Sequence, residues 1–345
     1  MSRQRVVAAL RERGPLSRSA LSKALSVTRT TVGSHVDVLV DEGVLEELDL
    51  PPGGGLGRPP RPVWFTEDAG SVGAIVVARD RVSAAVVNVR GEIRAVDHAA
   101  VRGDAAQLGV DLLRSVRAPF GGLEGVGVVA DGRDLAAVIA RALGTDVIAA
   151  APARAGAVAE RWFGHGRACR DYWTVVLGDE VGAAVVVDGR LHLGRDERAG
   201  CVAHLPVGGD RPCSCGGRGC WTTVASRTGL AETAAALGHA PLGADELIAR
   251  ADAGDERARR VVAVYAGDVA TGLVALDLVT APGLVVVHGP PATSDGWSWS
   301  ALRDAAGDTG ARLVRSDLGE PGLLGAAALV LGDTWSGEGR ARRGR

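Results

Sequence analysis

From Ser71 onward the chain alternates short Val- and Ala-rich runs with helical stretches, and it does so twice over. That alternation constrains the fold more than any other feature, because a short, doubly buried apolar run is stable only as a strand in a sheet covered by helices. The first pass predicts strands at 71–79, 82–89 and 91–97, a helix at 104–117, a strand at 124–129, a helix at 132–143, a strand at 146–150 and a helix at 153–163. The second predicts strands at 172–178 and 181–188, helices between 228 and 278, a strand at 284–288, and helices to about residue 332. The repeat implies a duplicated α/β fold. With 46 % hydrophobic but only 3 % aromatic residues, its core must be aliphatic.

Residues 1–65 have a different texture. Val6, Val7 and Leu10 sit at helical spacing until Gly14-Pro15 stops the run. Ser17 is placed to cap a second helix through Leu21 to about Leu25, and Thr28 a third from Arg29 to about Glu42. The third helix would bury Val32, Val36, Leu39 and Val40, leaving Arg29, Thr30, Thr31, Ser34 and His35 on an open face. Residues 43–65 then read as strand, Gly/Pro-rich loop (PPGGGLGRPPRP) and returning strand, which makes the loop a wing.

A helix packed by one stripe, with small polar and basic residues at its N-terminal end, suits the major groove of DNA. Through Arg29 the chain carries seven basic residues (Arg3, Arg5, Arg11, Arg13, Arg18, Lys23, Arg29) against the single acid Glu12, a polarity expected to aim one end at phosphate. The predicted DNA contacts are Lys23, Thr28, Arg29, Thr30, Thr31, Ser34 and His35, with Arg58 and Arg61 of the wing in or beside the minor groove. The alternative is a small helical protein-interaction module with a solvated charged face. Over the whole chain, 39 Lys+Arg against 41 Asp+Glu give a net charge of -2, so any nucleic-acid surface is local.

His204, Cys213, Cys215 and Cys220 fall within AHLPVGGDRPCSCGGRGC. Three thiolates and an imidazole make a closed tetrahedral zinc set with no position left for water, hence a structural Zn2+. The alternatives are free cysteines or a disulfide, the latter disfavoured in a reducing compartment. Cys169 and Cys201 read as small buried residues. The start of the chain lacks a signal-peptide pattern, and no run approaches the ~18 uninterrupted apolar residues of a membrane span, so a cytoplasmic protein without membrane contact is expected.

The cysteine cluster followed by Trp221, preceded by G-x-L-x-x-G (Gly189, Leu191, Gly194) and Ala199-Gly200, resembles the ROK family of repressors and sugar kinases. The N-terminal unit with its GRPPRP wing is similar to the winged helix-turn-helix of that family's regulators. The resemblance runs from Ser2 to about Leu331. It implies an α/β protein made of a winged helix-turn-helix (1–65) and a two-lobed hexokinase/actin-like, ribonuclease-H-like domain. That domain would span 66–335, with lobes at roughly 66–150 and 151–335 and a disordered tail at 336–345. It further implies a cleft for sugar and sometimes ATP, and a homodimer or tetramer.

Phosphoryl transfer needs a base and a phosphate cradle. The family's N-D-A-N motif falls on Ala151-Pro152-Ala153-Arg154, so the base position is Pro152, which cannot accept a proton. The D-x-G-x-T phosphate loop falls on Val76, Ala78 and Asp80, without its acid or glycine. The second cradle, Leu177–Ala184, sets Glu180 against phosphate. The sugar-binding glutamates of A-G-E-x-G-H and G-C-x-E are Cys201 and Thr222, and Gly125–Asp131 runs almost directly into the next helix. These residues predict a kinase-inactive DNA-binding regulator, in the manner of a repressor. It would bind a palindromic operator as an oligomer and respond to a sugar-like effector or a protein partner. The competing readings are a divergent sugar kinase and a protein scaffold using Trp297 and Trp299 as an exposed anchor.

Overall fold

The computed structural model describes residues 3–48, 61–130 and 133–335. The N-terminal segment folds as α1 (Arg3–Arg13), β1 (Leu16–Ser17), α2 (Arg18–Leu25), α3 (Arg29–Asp41), β2 (Leu45–Glu47) and β3 (Pro62–Phe65). Capping sets the helix starts: Ser17 accepts from the Ala20 N–H and Thr28 from the Thr31 N–H, both at 3.2 Å. Ser26, in the left-handed region at φ 54°, turns the chain between α2 and α3. Val6, Leu10, Leu21, Val32, Val36, Val63 and Phe65 close the small core. The wing strands pair antiparallel with Leu45 opposite Phe65, and β1 adds a third strand to β3 that the sequence did not disclose.

The chain divides into two compact units, and this N-terminal segment belongs to the first. The first contains β4 (Ser71–Val77), β5 (Arg81–Asn88), β6 (Ile93–Ala100), α4 (Ala105–Arg117), β7 (Val126–Ala130), α5 (Arg133–Leu143) and β8 (Val147–Ala150), in sheet order β6-β5-β4-β7-β8. Helix α6 (Pro152–Phe163) follows, with Pro152–Glu160 in the second unit and Arg161–Phe163 in the first.

The second unit contains β9 (Tyr172–Leu177), β10 (Val181–Val187), β11 (Arg190–His192), α7 (Trp221–Ala225), α8 (Arg227–Ala236), α9 (Ala244–Asp252), α10 (Glu256–Thr280), β12 (Leu284–His288), α11 (Trp297–Ala305) and β13 (Leu313–Arg315). Its sheet order, β11-β10-β9-β12-β13, repeats the first: an antiparallel three-strand meander with two parallel strands on the far side of the first strand. The duplicated α/β architecture expected from the alternation is therefore present.

The last helix, α12 (Pro321–Trp335), belongs to the first unit, where it packs on β4 and β7. The second lobe, expected to run to residue 335, thus ends at Gly319. The physical reason is that α12 is apolar on nearly all sides and carries no periodicity to say which sheet it covers. The tail at 336–345 lies outside the described residues.

In the second unit, Trp173, Val175, Val181, Val285 and Val287 pack one sheet face against α7–α11. Ala153 and Ala157 of α6 pack the other face against Tyr172, Val186 and Val286. Helix α10 is long and apolar enough to cross a membrane by length and composition, yet 56 % of its apolar window is buried as the core helix of this unit. Asp277 on it accepts from Arg312 Nε (2.9 Å) and the Thr309 hydroxyl (2.9 Å); chiefly the Arg312 guanidinium, and then Thr309, hold its carboxyl below the ordinary range against its burial.

Candidate DNA-binding surface, metal cluster and degenerate sugar-kinase positions

Helix α3 leaves Arg29, Thr30 and Ser34 exposed and Thr31 and His35 half-buried, while Lys23 and Thr28 are exposed beside its N-terminus. Several of these groups are already engaged. The hydroxyls of Thr28 and Thr31 pair at 2.8 Å, and Ser34 Oγ donates to the Thr30 carbonyl at 3.1 Å. Arg29, Thr30, Lys23 and His35 therefore offer the side chains of this face most open to base edges and phosphates. Arg61 is exposed, 3.9 Å from Glu47. Arg58 lies outside the described residues.

The expected polarity of seven basic residues needs correction. Arg3 pairs with Glu42, and Arg18 bridges Asp37 and Glu47. Arg11 is 8 % exposed, its guanidinium 4.8 Å from the Phe65 ring centroid and 4.5 Å from that of Trp162. Burial pulls its pKa down to about 9, against the pull of Glu124, so it stays charged at neutral pH. Sequence reasoning missed this sandwich. The available signal was spacing: Arg11 lies four residues after Val7, on the buried stripe. With Arg90, whose Nε donates to the Phe65 carbonyl at 2.6 Å and whose Nη2 pairs with Glu46, it ties the helix-turn-helix segment to the α/β part of the same unit.

The four metal-ligating candidates do converge. Nδ1 or Nε2 of His204 and Sγ of Cys213, Cys215 and Cys220 all lie within 4.8 Å of one another. Cys213 Sγ is 3.4 Å from His204 Nδ1, and Cys215 Sγ is 3.7 Å from Cys220 Sγ. A tetrahedral ion with ordinary zinc bond lengths puts two sulfurs about 3.8 Å apart and sulfur and nitrogen about 3.6 Å apart. The loop reaches this shape through bridges between Pro206 and Cys220 and between Pro212 and Arg218. Gly219, at φ 64°, approaches the Gly208 and Gly209 carbonyls so closely that a Cβ would sit 2.6 and 2.7 Å from them.

Backbone hydrogen bonding from Cys215 draws the Cys213 thiol down to about 6, whereas burial and then the neighbouring sulfurs push Cys220 up to about 12. The four ligand atoms lie close enough together that they could hold one metal ion. Immediately after the last ligand, Trp221 is fully buried, donating Nε1 to the Asp268 carbonyl at 3.1 Å, with its ring against Gly272 of α10.

The kinase positions are built over with other structure. Pro152 opens α6, where its fixed φ suits the first helical position. Arg154, two residues on, donates to the Glu197 carboxylate at 2.8 Å and to the Glu197 carbonyl. Val76 is in β4 and packs near Gly322, and Ala78 and Asp80 form the β4–β5 turn. Asp179 and Glu180 are the exposed tip of the β9–β10 hairpin. Thr222 Oγ1 accepts from the Val181 N–H at 3.1 Å. Only residues 131 and 132 separate β7 from α5.

Three readings change. Cys201, expected to be buried, is exposed, and Cys169 is half-buried. Trp299 is 4 % exposed in the large core and Trp297 stacks under Arg259 (5.1 Å), so neither is an exposed anchor: α11 uses both to pack. His288, 7 % exposed with burial lowering its pKa to about 4, faces Glu160, whose carboxyl burial raises. Glu160 also accepts from Ser316 Oγ (2.5 Å) and the His165 N–H (2.9 Å).

The ROK family profile matches residues 127–332, and a helix-turn-helix domain profile matches residues 1–47. The chain belongs to the ROK family. It is 26 % identical over 244 residues to the xylose repressor of Bacillus spizizenii, covering 63 % of each chain. It is 34 % identical over 170 residues to the N-acetylmannosamine kinase of Citrobacter koseri, covering 48 % of this chain and 58 % of that one. The chain thus spans less than two thirds of the length of these curated relatives. Its fold superimposes on a ROK family transcriptional regulator, a homolog of the E. coli MLC protein, with TM-score 0.75 and 18 % identity over 99 % of this chain and 97 % of that one.

Proposed function

We propose that this protein is a DNA-binding transcriptional regulator of the repressor type, without kinase activity. The observation that carries the reading is the joint one: a capped helix-turn-helix with an open recognition face at Arg29–His35, joined to a ROK domain that has Pro152 at the base position. Arg29, Thr30 and His35 read base edges in the major groove, Ser34 lines the same face with its hydroxyl proton held by the Thr30 carbonyl, Thr28 and Thr31 lock the helix start, Lys23 binds phosphate, and Arg58 and Arg61 lie along the minor groove. His204, Cys213, Cys215 and Cys220 hold one Zn2+, which cross-links the loop and supplies no chemistry to a substrate. The ROK domain serves oligomerisation on a palindromic operator and the sensing of an effector, in the cytoplasm. With Cys201 and Thr222 in place of two carboxylates, that effector is not a sugar gripped by paired glutamates, so xylose is not carried over from the relatives.

The test is promoter binding as a function of salt. The affinity should fall steeply with log[salt], and Arg29→Ala should weaken binding and flatten the slope by about one. Absence of salt-sensitive binding to the protein's own promoter region would overturn the reading. The identity to sugar kinases favours a second reading, a divergent kinase. Turnover well above background in a coupled ATP assay across hexoses would establish that reading instead.

A further inference from the structure

Among the described residues of the N-terminal segment, Val38 is the large hydrophobic side chain left exposed, at 40 %. Its neighbours in α3 say which surface it belongs to. Val32, Val36 and Leu39 are buried in the small core. Val38 stands seven residues after Thr31, four after Ser34 and three after His35, so it extends the recognition face by a further turn.

A single exposed valine is ordinary on a protein surface. This one is set in a stripe whose hydroxyls are already used. Thr31 Oγ1 pairs with Thr28 Oγ1 at 2.8 Å, and Ser34 Oγ donates to the Thr30 carbonyl at 3.1 Å. What Thr31 and Val38 have left to present is methyl groups. Acids near the same half of the helix are answered within the chain: Arg18 bridges Asp37 and Glu47, and Arg3 pairs with Glu42. The exposed Asp41, three residues beyond Val38, sets the limit of the face, because phosphate repels a carboxylate.

In the major groove the apolar feature of a base-pair edge is the C5-methyl group of thymine, which distinguishes T·A from A·T and from either G·C orientation. We propose that Val38 and the methyl group of Thr31 read thymine in the operator, beside the polar contacts made by Arg29, Thr30 and His35. Thr31 then has two tasks, its hydroxyl locking the helix start and its methyl facing the groove. The two residues are about 10 Å apart along the helix, against a base-pair step of about 3.4 Å, so they meet different base pairs.

This rests on the proposed DNA-binding regulator and names the base chemistry that its recognition face selects. The experiment uses the full chain to select duplexes from a random pool. The best duplex is then rebuilt with deoxyuridine in place of thymine, one position at a time, which removes a methyl group and leaves base pairing and phosphates alone. At each contacted position deoxyuridine should weaken binding about fourfold, the worth of one buried methyl. Val38→Ala should lose a similar factor on the thymine duplex and become indifferent to deoxyuridine at its own position, and Val38→Ile should restore both. Thr31→Ser, which keeps the capping hydroxyl, should do the same at the second position. Neither variant should change the salt dependence, since neither side chain meets phosphate. Circular dichroism checks that the variants are folded. Equal affinity for thymine and deoxyuridine at every position, or a wild-type penalty that survives in both variants, overturns the proposal while the regulator stands. A pool that yields no salt-sensitive binder overturns the regulator and this contact with it.

Discussion

Adding one methyl group to Gly272 should disturb both the core of the second unit and its metal loop. The Cβ of Gly272→Ala would overlap Cε2, Cδ2 and Cζ2 of Trp221, whose ring is fully buried. Trp221 directly follows the ligand Cys220 and is pinned to the Asp268 carbonyl, so the ring cannot yield without moving α7 and the cysteine loop. Burial of such a ring contributes about 4–6 kcal/mol. Overpacking of a closed core costs about 1–3 kcal/mol, against a helix-propensity gain of about 1 kcal/mol for Gly to Ala. The immobility of the ring puts the cost at the upper end, for a net loss of about 2 kcal/mol. For a unit of this size that corresponds to a melting temperature lower by about 4–8 °C. Gly267→Ala, on the same helix with open space around it, supplies the control. It should raise stability by about 0.5–1 kcal/mol. The assay is thermal unfolding followed by near-ultraviolet circular dichroism, with zinc content measured on the same samples. A Gly272→Ala protein that melts at or above wild type with its zinc retained would refute the packing argument.

Three further outcomes follow from the same structure. Cys215→Ser should drop bound zinc from about one ion per chain to a small fraction and lower the melt, and chelation of the wild type should reproduce that loss; elemental analysis beside calorimetry reads both. Because burial lowers the His288 pKa to about 4, unfolding takes up a proton between pH 6.5 and 4 that the native state refuses. This stabilising contribution is whole above pH 6.5 and declines by up to about 3 kcal/mol as pH falls to 4, offset in part by the raised carboxyl of Glu160. A folded His288→Gln variant should show a flatter stability profile in that window, and an identical profile would sink the argument. Arg11→Ala should cost about 2–4 kcal/mol through lost packing between Phe65 and Trp162, seen as faster hydrogen exchange in α1, and Arg11→Lys should restore little of it.

Local features are the ones the amino-acid sequence determined by itself. The caps at Ser17 and Thr28, the strand runs and the four metal-ligating candidates depend on residues within a few turns of one another, where spacing alone limits geometry. The Pro152, Cys201 and Thr222 replacements were equally legible, since a missing proton acceptor is a property of residue type. What only tertiary structure decided lies far apart in the chain. Arg11 reads as a surface cation until Phe65 and Trp162 close over it. Trp299 reads as an exposed aromatic until α9 and α10 cover it. Helix α12 is apolar nearly all round, so its pattern could not say that it returns to the first sheet. Side-chain periodicity reports which face of an element is buried; which partner buries it is settled only when loop closure brings distant elements together.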